Sequence, residues 1–163
     1  MSKSKDFALA LRKYLEEQFI GAGIDAVRIT PRSIPQALDA GLMKSGDEGA
    51  ERAGAVILLR RATDTPTLRG GDNTRLLSVG LFDLVLLVTD EYLKTASATD
   101  GSEEDEVIAL RVYELSDLIQ TTIEAAPAVG NYSMEIIDVN DISDPASQAF
   151  GTVITIGARF IRG

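Results

Sequence analysis

Apolar residues return at three- and four-residue steps between Asp6 and Ile20: Phe7, Leu11, Tyr14, Leu15, Phe19 and Ile20, with Arg12, Lys13, Glu16 and Glu17 on the opposite side. That period draws one apolar stripe along a helix and predicts that the stripe packs on the protein's own sheet. Gly21-Ala22-Gly23 closes the helix, because glycine reaches the left-handed C-terminal conformation without a Cβ clash. Ala26 to Thr30 reads as a short extended segment stopped by Pro31. Residues 31–53, with Pro31, Pro35, Gly41, Gly46 and Gly49, read as a long irregular connection with room for a helical turn at Gln36 to Met43.

The pattern then switches to strands. Gly54 to Arg61 is one. Arg75 to Thr89 is a longer one, with Val79, Leu81, Asp83, Val85 and Leu87 on one face and Gly80, Phe82, Leu84, Leu86 and Val88 on the other. Apolar residues on both faces mark a central strand or one covered by neighbours. The Thr-, Asp-, Gly- and Pro-rich stretch Ala62 to Thr74 between them predicts a hairpin with a long arm. Ser102 reads as the cap of a second helix, with Asp105 placed to return the capping bond. Its stripe is Ile108, Val112, Leu115, Ile119 and Ile123, broadened by Leu110 and Leu118, and Pro127 and Gly130 end it. Two strand runs close the chain, Tyr132–Val139 and Phe150–Ile161, separated by Asp138 to Gln148. The expected fold is α+β: a mainly antiparallel sheet with two helices packed on one face and a long β-hairpin arm, in a single domain over residues 1–163.

Composition narrows the chemistry more than it names it. The chain has 163 residues, 45% of them hydrophobic, enough for one real core. No run of ~18 apolar residues is present, so no membrane span is expected. The N-terminal Met1-Ser2-Lys3-Ser4-Lys5-Asp6 lacks the apolar region of a secretory signal. There is no cysteine and no histidine, which removes disulfides, Cys/His zinc sites, thiol nucleophiles and imidazole-based triads. No cofactor is expected, and the chain does not read as an enzyme. The net charge of −9, from 25 acidic and 16 basic residues, opposes non-specific binding to phosphate backbones.

The remaining candidates each have a structural explanation beside the functional one. Asp100, Glu103, Glu104, Asp105 and Glu106 could attract a cation, but acids in a first helical turn also complement the helix dipole. Leu68-Arg69-Gly70-Gly71-Asp72-Asn73 has neither a GK[ST] nor a GxGxxG pattern and reads as the tip of the long arm. Asp138, Asp141 and Asp144, with Asp83, could supply paired carboxylates, although strand ends and turns suit their placement better. Ser78, Ser133 and Ser143 lack a G-x-S-x-G elbow. Arg60, Arg61, Arg69 and Arg75 gather positive charge on one arm of an acidic chain, and that polarity could pair with acidic patches on a neighbouring subunit, although an ordinary solvated loop explains the same residues. With Glu103 and Glu104 at the acidic helix start, these make six candidate interface residues.

The order of elements, from the amphipathic helix through the long-armed hairpin and the helix at Glu103 to Ala126 to the closing hairpin ending Ala158-Arg159-Phe160, resembles the tail terminator, or tail completion, proteins of tailed bacteriophages. It resembles more loosely their neck and head–tail joining relatives. The likeness covers nearly the whole chain and is one of pattern, since the family has no short signature motif. It implies a homohexameric ring on the head-proximal end of the tail tube, which stops tube polymerisation and gives the head or neck a joining surface. The implied partners are further copies of the chain, the tail tube protein and a neck or head-completion protein, with DNA passing through the lumen without specific binding. The implied location is the virion tail or neck, after assembly in the host cytoplasm. A neck connector, a tube protein, or a small α+β ligand-binding or regulatory module are the competing readings.

Overall fold

The computed structural model describes residues 2–31, 44–45, 51–52, 54–62, 79–89, 104–144 and 149–161. Helix α1 spans Lys3–Phe19, and its Ser2 cap accepts a hydrogen bond from the Lys5 amide. Phe7, Leu11, Leu15 and Phe19 are buried, each contributing about 1.5–3 kcal/mol relative to exposure. Tyr14 is half-buried and its hydroxyl donates to the Thr122 carbonyl at 3.5 Å. Ile20, expected in the stripe, is exposed because it caps the helix with extended backbone and turns away from the core.

The strands are β1 (Ala26–Ile29), β2 (Lys44–Ser45), β3 (Glu51–Arg52), β4 (Ala55–Arg61), β5 (Gly80–Thr89), β6 (Ala128–Val129), β7 (Tyr132–Asp144) and β8 (Ala149–Phe160), with α2 (Glu104–Ala125) between β5 and β6. Six of them form one sheet in the order β1-β4-β5-β8-β7-β6, and β2 pairs with β3 separately. The α+β reading holds. Every pairing in the large sheet is antiparallel except β1 with β4. Parallel neighbours need a connection of a dozen or more residues, and the chain between Ile29 and Ala55 supplies one.

Both helices pack on one face. Val27, Ile57, Leu59, Phe82, Leu84, Leu86, Ile154 and Ile156 meet the stripes of α1 and α2 in the main core. Since α1 touches both β1 and β6, strands near opposite ends of the sheet, the sheet curls around it. Side chains alternate between faces, so the opposite face carries Val56, Leu58, Val85 and Leu87, a second buried cluster. The central strand β5 is thereby covered on both sides, as its two apolar faces predicted. In α2, Ile108, Val112, Leu115, Ile119 and Ile123 are buried, but Leu110 and Leu118 are exposed. At 100° per residue those two fall outside the arc that meets the sheet.

The closing hairpin is longer than the sequence pattern indicates. The β7–β8 ladder runs from the Tyr132–Phe160 pair to the Asp144–Ala149 pair, so Asp141 and Asp144 are strand residues rather than turn residues. A bulge between Ile136 and Asp138 leaves Ile137 as the extra residue. At Gly151 an added Cβ would collide with the Leu86 carbonyl oxygen on the neighbouring strand. The hairpin arm at residues 63–74, the turn at Gln36 to Met43 and the Ser102 cap lie outside the described residues.

Candidate functional site

Of the six interface candidates, Arg69, Arg75 and Glu103 lie outside the described residues. Glu104 begins α2. Arg60 and Arg61 are consecutive at the end of β4, so alternation sends them to opposite faces. Arg60 joins the face away from the helices. Its Nε lies 3.5 Å from Asp83 Oδ2, and Thr155 Oγ1 donates to Asp83 Oδ1 at 3.0 Å. The three residues occupy one row across β4, β5 and β8, and the two ionised side chains are only 18% and 13% exposed. Asp83 is therefore neutralised and hydrogen-bonded within the chain, and Arg60 is held by that pair. Arg61 is exposed on the helix face beside its cross-strand partner Phe82.

Of the four carboxylates considered together, Asp83, Asp138 and Asp141 do not meet, and the side chain of Asp144 lies outside the described residues. Asp83 and Asp138 are two strands apart in one row, with Thr155 between them, a separation of about 10 Å. That is too far to share a proton. Asp138 instead accepts from the Val139 amide at 3.0 Å and the Asn140 side-chain amide at 2.7 Å. Asp141 falls on the opposite face and accepts from Thr152 Oγ1 at 3.3 Å. Ser133 lies opposite Arg159 in the β7–β8 ladder. Among the described residues no group of three acidic side chains is placed to hold a metal ion, and no helix is long and apolar enough to cross a membrane.

Charge is distributed unevenly over the sheet. Registers align β1 with Val139–Ile142 of β7 across the same rows. Among the described residues, no strand pairs with the outer side of β1, or with β7 beyond its short β6 partner. Arg28, Arg60 and Arg61 lie on the β1–β4 side, whereas Glu135, Asp138 and Asp141 lie exposed along β7. Arg159 neutralises Glu135 at 2.9 Å, leaving Asp138 and Asp141 as the acidic edge.

A second feature opens on the helix face, where the first turns of α1 stand over the ends of β1, β4 and β5. It is an open cavity of about 410 Å³, lined by Ala8, Ile29, Leu59 and Phe82, with Lys5 and Arg61 among its polar groups. A smaller one of about 130 Å³ lies between α2 and the β7–β8 hairpin, near Tyr113 and Asp141.

Asp25 and Tyr132, which sequence reasoning did not single out, and Gly23, which it placed at the end of α1, organise these regions. Asp25 accepts from the amides of Gly54 and Ala55 at 2.8 and 3.2 Å, and so fixes the start of β4 beside β1. Gly23, at φ 112°, lies against the Arg111 guanidinium and Leu115 of α2. Tyr132 packs edge-on against both Phe7 and Phe160. Burial first, then the charge and hydrogen bond of Asp6, push its hydroxyl above the ordinary tyrosine range. The only sequence signal for these contacts is residue type, because each joins segments far apart in the chain.

Fold and site together define an α+β protein with a curled six-stranded sheet and two helices packed on one of its faces. Compared with known proteins, the chain matches no protein-family model, no curated protein and no solved structure.

Proposed function

We propose that the protein is a structural virion component of the tail-terminator kind, forming a ring that caps the head-proximal end of a phage tail tube and offers the head or neck a joining surface. The observation that carries this reading is that, among the described residues, no strand covers the outer side of β1 or β7 beyond β6, with exposed Arg61 at the end of β4 on one side of the sheet and exposed Asp138 and Asp141 along β7 on the other. Closed rings require two different, complementary patches on each subunit, and opposite charges steer such patches together. The order of elements supports the same reading. The action is steric and adhesive: one ring face docks on the last tube ring, and the other accepts no further tube subunit. Mass determination of the purified chain in solution, with negative-stain imaging, tests it. Discrete hexameric rings are expected. Long tubes would identify a tube protein, and a monomer at every concentration would end the ring reading.

A second reading, a ligand-binding module, is favoured by one observation, the apolar cavity between α1 and the sheet. A saturable, ligand-induced rise in melting temperature would support it.

A further inference from the structure

We propose that the cavity under the first turns of α1 binds a small amphipathic carboxylate free in solution, its apolar body on Ile29, Leu59 and Phe82 and its carboxylate between Lys5 and Arg61. The inference rests on the ligand-binding reading and adds the chemical class of the ligand. The volume of about 410 Å³ falls within the range of small-molecule sites, which are mostly apolar with a few placed polar groups. Leu59 and Phe82 are buried at its base, and Ile29 keeps 39% of its surface exposed. An apolar body laid there removes that surface from water.

The polar groups set the sign of the ligand. Among the described residues the cavity is lined by the cations Lys5 and Arg61 and by no acidic residue, and Arg60, also at its wall, sends its side chain to the other face of the sheet, in a chain whose net charge is −9. Arg60 is already engaged by Asp83. Lys5 and Arg61 form no ion pair among the described residues, and both are exposed. Two cations with no ion pair among the described residues thus line one cavity from elements far apart in sequence, over an apolar floor. A carboxylate can accept from both, and the guanidinium can bind it in the two-pronged geometry. A neutral amphiphile would gain the apolar contact alone.

Titration calorimetry of the full chain with decanoate below its micellar concentration, with amide chemical shifts followed in parallel, tests the assignment. One decanoate per chain is expected, with shifts concentrated at Ala8, Ile29 and Phe82. The double variant Lys5→Gln, Arg61→Gln should weaken decanoate at least tenfold and leave decanol unchanged, while Lys13→Gln on the same helix should leave both unchanged. If decanol binds as tightly as decanoate and the double variant changes neither, the cavity is a ligand site but the carboxylate assignment is wrong. If neither compound binds, the ligand-binding reading fails with it. Binding of anionic lipid vesicles without saturable decanoate binding also overturns the proposal.

Discussion

Replacing Asp83 by alanine should destabilise the protein by about 2–3 kcal/mol, and the reason is specific to its row of the sheet. The substitution removes the acceptor of Thr155, which is 7% exposed, and the counterion of Arg60, whose side chain is 18% exposed. A hydrogen bond to a charged group contributes about 1.5–3 kcal/mol. At the observed 3.5 Å the Coulomb attraction of the pair is about 5 kcal/mol for an effective dielectric of about 20. Desolvation of both ions offsets most of that gain. The coupling between Arg60 and Asp83 should therefore be about 1–2 kcal/mol, well below the gross attraction. Urea unfolding followed by far-UV circular dichroism measures it through the cycle of Asp83→Leu, Arg60→Met and the double variant. The double variant should recover most of the loss suffered by Asp83→Leu alone, because an apolar pair leaves no ion without a partner. Asp83→Ala within about 0.5 kcal/mol of the parent, or single-variant losses that simply add, would refute the reasoning.

Gly151→Ala should cost about 1–3 kcal/mol, since the new Cβ meets the Leu86 carbonyl oxygen in the middle of the sheet; thermal unfolding against the parent checks it. On α2, Leu115→Ala should cost about 2–5 kcal/mol, whereas Leu110→Ser and Leu118→Ser should stay within about 0.5 kcal/mol, because Leu115 is buried and the other two are exposed. Tyr132 holds its proton more tightly in the folded chain than in the unfolded one. Its contribution is thus complete below the ordinary tyrosine value of about 10 and is lost as pH rises through the higher folded value. Stability measured across that alkaline window should fall less steeply in Tyr132→Phe, and an unchanged slope would remove Tyr132 as the source.

The parts of the fold legible in the sequence are those written in local periodicity. The stripe Phe7, Leu11, Leu15, Phe19 and the stripe Ile108, Val112, Leu115, Ile119, Ile123 both face the core as their spacing requires. The two-sided apolarity of β5 likewise announced a covered strand. What stayed hidden depends on partners far along the chain. The parallel pairing of β1 with β4 is set by a register between Val27 and Ile57 that no local pattern encodes. Strand β6 was masked by Pro127 and Gly130, which read as helix-ending punctuation. The bulge in β7 did leave a trace, the doublet Ile136-Ile137, which breaks the alternation where the ladder shifts. The cavity left none, since its walls come from α1, β1, β4 and β5.

Arg60 and Arg61 show why a cluster of like charges in sequence is a poor unit of function. The two-residue period of a strand sends neighbours to opposite faces, so one arginine stabilises the sheet through Asp83 while the other remains exposed at the cavity rim. Both functional readings then draw on Arg61, as a cation for a neighbour's acidic edge or for a small carboxylate. If both contacts form, they exclude one another, and linkage requires the ligand to weaken assembly by as much as assembly weakens ligand binding. Arg61→Gln would diminish both, whereas Asp138→Asn with Asp141→Asn would weaken assembly alone. Measuring ring mass and decanoate affinity on this pair of variants separates a shared cation from two independent sites, and either function can fail without the other.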